Sequence, residues 1–320
     1  MIKAGLKPEE IAKEIVEDHV SGAAQLAIKA ANMFLKLVSE KTDIKAVRKL
    51  AKILAESRPS MPPIANISYV ILKLIEEHIS EGENLRDAVE LAVRSAVKTY
   101  QDNLKKTVQN ASKILRKYDS IITHSYSSTA AAAIELCSKL KVFVTESRPG
   151  YEGRRLAKRL AQKGLDVTLI VDSAASYVID RGLVDAFVTG CDAILDDCSI
   201  VNKIGTKMIA LTAGEAGIPF IVVTDTWKTA VHGFSFEEHS PSEVYDKLAG
   251  TLTALNPYFE IVPARLVTFY VTEDGRLDRE KLSERLKELW KKITTGEKNV
   301  QKIIQHHKHA CNSGKLMNKD

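Results

Sequence analysis

Cysteine is scarce. The 320 residues include four, at Cys137, Cys191, Cys198 and Cys311, and none has a partner at metal-ligand spacing. That argues against a cysteine-built zinc site. Three sit in or beside apolar runs, so buried free thiols are expected. Long apolar runs are missing too. Nothing approaches the roughly 18 to 20 residues of a membrane span. Residues 1–10 hold no apolar core of a secretory signal, so a cytoplasmic protein without a membrane partner is expected. Aromatics are nearly absent from the basic segment 281–319, where Trp290 stands alone and Glu284, Glu288 and Glu297 dilute the lysines. The net charge of +5 therefore reads as a solvated C-terminal helix with a flexible tail rather than a nucleic-acid surface. His306, His307, His309 and Cys311 gather in that tail. A mobile tail pre-organises no ligand set, so no metal is expected.

What remains is an ordinary globular composition, 45% apolar and 27% charged, long enough for one large domain or two small ones. The first part has helical periodicity. Ala27, Ala31, Phe34, Leu35 and Val38 recur on one face, as do Val47, Leu50, Ala51 and Leu54. Pro59, Pro62 and Pro63 break the pattern, which resumes over 67–79 and 85–114. Five or six helices are expected before residue 118. Near Asp119 the pattern changes to short β-branched runs at 120–124, 141–145, 167–171, 186–189, 220–224 and 266–271. Helical stretches separate the first five, with Gly164, Gly182 and Gly217 at C-cap positions. The predicted fold is α/β: a helical domain over 1–117, a doubly wound parallel sheet over 118–280 and a basic helix with tail over 281–320. Residues 227–263 read as an irregular lid or interface arm.

In a parallel sheet the loops after the strands share one edge. Those loops hold His124, Ser125 and Ser127; Glu146, Ser147 and Arg148, then Glu152 and Gly153; Asp172; Gly190, Asp192, Asn202 and Lys203; Asp225 and Lys228. Arg148 before a helix start carrying Gly153-Arg154-Arg155, with Lys203 and Lys228, favours an anion such as phosphate. Ser125, Ser127, Ser128 and Thr129 form a hydroxyl-rich turn. Ser127 or Ser128 suits a helix cap, Ser125 a ligand contact, and the whole turn can also cradle a second phosphate.

Thr123-His-Ser-Tyr-Ser127, Glu146-Ser-Arg-Pro149 with Glu152-Gly-Arg154, Asp172-Ser-Ala-Ala175, Gly190-Cys-Asp192, Asn202-Lys-Ile-Gly-Thr206 and Asn256-Pro257 occur in that order. Over about residues 20–275 the chain resembles the family of the alpha, beta and delta regulatory subunits of translation initiation factor 2B. That family also contains isomerases of methylthioribose 1-phosphate and ribose 1,5-bisphosphate. The resemblance implies a helical domain, a Rossmann-like domain, and dimers or larger oligomers built through the C-terminal half. It gives Asp192 the place of the catalytic aspartate and Arg58, Arg148, Asn202 and Lys203 places in ligand contact. The chain departs from the isomerases at three points. Ser125 stands where they have cysteine, Ser21-Gly22-Ala23 where they have Arg-Gly-Ala, and Asp197-Cys198 where they have Asn-Gly.

Moving a hydrogen between C2 and C1 of a phosphorylated sugar needs an acid and a base, roles that a cysteine and an aspartate can fill. A serine hydroxyl is a much poorer acid. The expected function is therefore a regulatory subunit that binds a sugar phosphate or nucleoside monophosphate and contacts an initiation-factor-2-like partner. The alternative is a sugar-phosphate isomerase with Asp192 as base or acid and Ser125 or His124 in the cysteine's role. No cofactor is expected in either case.

Overall fold

The structure is a computed structural model that describes residues 7–18, 22–39, 42–231, 233–236 and 239–294, with side chains only to residue 289 in the last stretch. The histidine-rich tail and Ser21 lie outside the described residues. The chain forms two compact units. One comprises residues 1–102, 227–236 and 285–320; the other comprises 103–226 and 237–284.

In the first unit the helices are α1 (Pro8–Val16), α2 (Ala23–Leu37), α3 (Ile44–Ser57) and α4 (Pro62–Ser80), followed by most of α5 (Leu85–Leu115). Asp43 starts α3 by accepting the Ala46 N–H at 2.8 Å, and Val47, Leu50, Ala51 and Leu54 form its buried stripe. The prolines do break the helical pattern, since α3 ends at Ser57 and α4 begins at Pro62, but the helix restarts earlier than the resumption at residue 67 that the periodicity suggested. Pro62 and Pro63 are the first residues of α4, where a missing N–H costs nothing. Asn66, buried on α4, donates both amide hydrogens to the carbonyls of Trp227 and Thr229, at 2.6 and 2.8 Å. Trp227 also lies 5.2 Å from the Tyr100 ring. These contacts place residues 227–236 in the helical unit. A groove of about 790 Å³ runs between α2 and α5, lined by Leu35, Leu91 and charges of both signs such as Glu83, Arg86 and Arg94.

The second unit is built on a seven-stranded sheet. Its strands are β1 (Ser120–Thr123), β2 (Lys141–Thr145), β3 (Asp166–Ile170), β4 (Ala186–Thr189), β7 (Phe220–Val223), β9 (Phe269–Thr272) and β10 (Gly275–Leu277). The order is β10-β9-β7-β4-β1-β2-β3, parallel except for β10. The strands named first in the chain run outward from β1 one way, and β4 then returns to its other side. Such a reversal defines a topological switch point, here between β1 and β4. Thr123 pairs with Val188 there, so the residues that follow each strand leave the sheet side by side.

The connecting helices are α6 (Ser128–Glu135), α7 (Glu152–Gln162), α8 (Ala175–Asp180) and α9 (Thr206–Glu215), with α10 (Arg279–Thr294) after β10. Alternate strand residues Ile121, Val142, Val144, Ala186, Val188, Ile221 and Val223 pack with Ala111 and Leu115 of α5, Ala131 and Ile134 of α6, and Leu156 and Leu160 of α7. Right-handed crossovers put the helices that follow the reversal on the opposite face, where Phe187 and Phe220 stack at 4.5 Å. Gly164, Gly182 and Gly217 all have positive φ just past helix ends, as their positions in the sequence suggested. Cys137, Cys191 and Cys198 are buried thiols outside any disulfide.

A second sheet was not expected. β5 (Ala193–Ile194), β6 (Ile200–Lys203) and β8 (Phe259–Val262) form an antiparallel ribbon in the order β5-β6-β8. The stretch between Gly190 and α9 is therefore a hairpin rather than an open loop, and the segment read as irregular ends in a strand. Cys198 sits in the hairpin turn at φ 68°, a left-handed position that suits glycine. Asp197 stabilises the turn by accepting both the N–H and the hydroxyl of Ser199 at 2.8 Å.

Candidate functional site

The C-terminal edge of the parallel strands carries the polar loops as expected. The backbone here is unusual. Ser125, Ser147 and Tyr151 all have φ between 55° and 66°, a left-handed conformation that costs a non-glycine residue about 1–2 kcal/mol. The surrounding hydrogen bonds hold them there. Ser125 N–H donates to Ser147 Oγ at 2.8 Å, and Tyr151 N–H donates to Ser147 O at 2.8 Å. The Asp172 carboxylate, after β3, accepts the N–H groups of Ser147 and Arg148, each at 2.7 Å. The loops after β1, β2 and β3 are thus one hydrogen-bonded unit.

Three glycines let backbone segments meet. A Cβ on Gly153 would lie 1.8 Å from the Thr145 carbonyl, so glycine is what allows α7 to start against the end of β2. A Cβ on Gly190 would lie 2.4 Å from Ser127, which fixes the approach of β4 to the start of α6. Gly205, at φ 99°, passes close to His124.

His124 is buried, with Nδ1 2.6 Å from Thr145 Oγ1 and Nε2 2.8 Å from the Ile204 carbonyl. A carbonyl only accepts, so Nε2 carries the proton and Nδ1 accepts from Thr145. Burial lowers the histidine pKa, partly opposed by the Ile204 hydrogen bond and by Asp172. Both ring nitrogens are engaged in holding β1, β2 and the turn before α9 together. Asn202 is likewise buried and donates to Thr189 Oγ1 and Thr206 Oγ1, at 3.2 and 2.9 Å. Ser127 caps α6 by accepting the Ala130 N–H at 3.3 Å.

Lys203 and Arg148 are the cations of this edge. Lys203 is 1% exposed; its Nζ lies 3.2 Å from Glu152 Oε1 and 3.1 Å from the centre of the Tyr258 ring. Burial lowers its pKa, while Glu152 and then Asp192 act to keep it charged. Arg148 donates to the Tyr151 hydroxyl at 2.6 Å and to the Val244 carbonyl at 2.7 Å. Both partners are neutral, and no carboxylate pairs with Arg148 among the described residues. Its charge remains available to an anion. Asp192 is half-buried just before β5, its N–H bonded to the Val201 carbonyl at 2.8 Å. Ser125 is half-buried just past β1. The register places Asp192 and Ser125 on adjacent loops at the switch point.

The structure gathers His124, Ser125, Ser127, Arg148, Gly153, Asp192, Asn202 and Lys203 at one edge. Arg58 and Lys228 belong to the helical unit, where Arg58 ends α3 and donates to the Asp18 carbonyl at 3.0 Å. Several contributors were missed by sequence reasoning. Glu152 was placed on the rim by the sequence, but its pairing with Lys203 was not. Tyr258 and Glu260 flank or lie in β8, whose Phe-Glu-Ile-Val run is a short strand signal. Glu260 accepts the N–H groups of Gly205 and Lys207 at 2.7 and 3.0 Å, so the start of α9 already has its carboxylate. Among the described residues no cluster of histidine, cysteine and carboxylates could hold a metal ion, and no helix is long and apolar enough to cross a membrane.

The second unit is a doubly wound α/β fold whose polar and cationic side chains gather at the switch-point edge, the place where folds of this class hold ligands. The chain belongs to the Initiation factor 2 subunit family, whose model matches residues 19–279. It is 33% identical over 268 residues to ribose 1,5-bisphosphate isomerase of Methanocaldococcus jannaschii, covering 80% of this chain and 84% of that protein. It is similar in structure to the translation initiation factor eIF-2B of Pyrococcus horikoshii, with a TM-score of 0.70, 26% identity, and 84% and 96% of the two chains covered. The 5-methylthioribose 1-phosphate isomerase of the same organism gives a TM-score of 0.70 at 27% identity, covering 89% and 88%. The likeness extends to isomerases as well as to initiation factors, and it favours the catalytic reading over the regulatory one that Ser125 had suggested.

Proposed function

We propose that this chain is an aldose–ketose isomerase acting on a ribose with a phosphate on C1, of the ribose 1,5-bisphosphate type. The observation that carries the proposal is Asp192, a half-buried carboxylate on the loop after β4, the strand that neighbours the one ending before Ser125, and one of the charges that act to keep Lys203 protonated. Isomerisation is redox-neutral. The ring C1–O bond breaks and its oxygen takes a proton; the C2 hydroxyl loses a proton; the hydrogen on C2 passes to C1, leaving a ketone. A carboxylate at the switch point is suited to take the hydroxyl proton. Arg148 supplies positive charge for phosphate, the buried Lys203 adds positive field at Asp192, and the hydrogen-bonded loops hold both in place before the ligand arrives.

Ser125 occupies the acid's position. Its hydroxyl is a weak acid, so a slow enzyme is expected, with ring-oxygen protonation as the limiting step. His124 is a poor substitute, since both of its nitrogens are committed to Thr145 and Ile204. Ser125 also supports a second reading, a regulatory subunit that binds a phosphorylated sugar or nucleoside monophosphate without turnover. Oligomerisation through the C-terminal half and an initiation-factor-2-like partner belong to that reading. Turnover of ribose 1,5-bisphosphate that disappears in Asp192→Asn supports the isomerase. Saturable binding without turnover supports the regulator.

A further inference from the structure

A lysine ammonium as buried as that of Lys203 needs compensation from its surroundings. Glu152 Oε1 supplies an opposite charge at 3.2 Å, and the Tyr258 ring covers Nζ at 3.1 Å. The Tyr258 hydroxyl donates to the same Oε1, so ammonium, carboxylate and phenol form a closed triangle. His239 stacks on Tyr258 at 3.8 Å between ring centres and 14° between planes. An imidazole and an ammonium that close cannot share one ring face, so Tyr258 is held between them. The segment bearing His239 and Tyr258 is itself tied down. Arg148 donates to Val244 O, and Asn256 donates to Ser240 O and to Glu243.

The second oxygen of Glu152 is buried and has no hydrogen-bond partner. A carboxylate oxygen left unpaired in a dry interior is costly, and a purely structural ion pair would not need it. We propose that Glu152 and Tyr258 are positioning residues for Lys203: the carboxylate fixes the ammonium beside Asp192, and the phenol ring seals it from water. What Lys203 then does rests on the isomerase reading; how it is held does not. Burial acts to discharge Lys203, and Glu152, Asp192 and Glu243 oppose that. His124 and the Tyr258 phenol are its other titratable neighbours, and burial keeps both neutral. Removing Glu152 therefore lets the amine lose its proton at lower pH, whereas removing the ring readmits water and restores the proton.

The test is trace acetylation of the full chain with acetic anhydride across roughly pH 6 to 10, read by peptide mass spectrometry against the exposed Lys52. Lys203 is expected to react at least about tenfold more slowly than Lys52 in the unmodified protein. Tyr258→Ala abolishes that protection, and Tyr258→Phe, which keeps the ring, retains it. Glu152→Gln moves the labelling midpoint of Lys203 down by about one pH unit. Equal labelling of Lys203 and Lys52 in the unmodified protein overturns the proposal, as does a profile unchanged in both Glu152→Gln and Tyr258→Ala. If the protein turns over sugar phosphate, the alkaline limb of kcat/KM falls to lower pH in Glu152→Gln. If it does not, the labelling decides the positioning role alone, so the two claims fail separately.

Discussion

Nδ1 of His124 lies 2.6 Å from the Thr145 hydroxyl and Nε2 2.8 Å from the Ile204 carbonyl, and burial of the ring between them favours its neutral form. The folded pKa is depressed below the ordinary value of 6.5. Below that value the unfolded chain binds a proton that the folded chain refuses, so stability falls as pH falls from about 6.5 toward the folded pKa. Replacing the ring by His124→Gln removes this component. The slope of unfolding free energy against pH should flatten between about pH 6.5 and 5 relative to the unmodified protein, measured by urea titration at each pH. Equal slopes would contradict the neutral ring.

Thr145→Val deletes the hydroxyl that donates to His124 and leaves Nδ1 buried without a donor. The expected loss is about 1–3 kcal/mol of stability, read from the urea midpoint at constant m-value.

Gly153→Ala drives a methyl group to within 1.8 Å of the Thr145 carbonyl. Backbone cannot yield as a flexible side chain does, so the start of α7 must lift from β2. A loss of about 1–3 kcal/mol or more is expected from thermal or urea unfolding. In contrast, Gly214→Ala meets nothing within 4 Å and stands inside α9, so a gain of about 0.5–1 kcal/mol is expected.

Much of this fold was legible because its signals are local. Asp43 before a 3-4 apolar repeat, β-branched runs ending in polar loops, and glycines just past helix ends each encode an element within a few residues. The rim followed from topology alone, since parallel strands bring their ends together. The second sheet escaped because β5 has two residues and β6 ends in the polar pair Asn202-Lys203, which reads as loop. Its partner β8 lies far along the chain, and only tertiary pairing shows that Asn202 faces Glu260 and Lys203 faces Phe259. For the same reason Lys203 read as a free point charge. Glu152 and Tyr258 meet it from segments 51 and 55 residues away, a convergence that no local pattern records.

Ser125→Cys tests the weak acid directly. A thiol ionises far more readily than a hydroxyl, so turnover of a ribose 1-phosphate ester should rise by about 10- to 1,000-fold with little change in KM. Unchanged turnover would remove Ser125 from the chemistry.

The most direct measurement is ketose formation from ribose 1,5-bisphosphate by the purified chain, run beside Asp192→Asn. The expected result is slow, saturable turnover in the unmodified protein and a loss of about 10²- to 10⁴-fold in the variant. Saturable binding of the sugar with no ketose formed by either protein would contradict the isomerase and leave a ligand-sensing regulatory subunit.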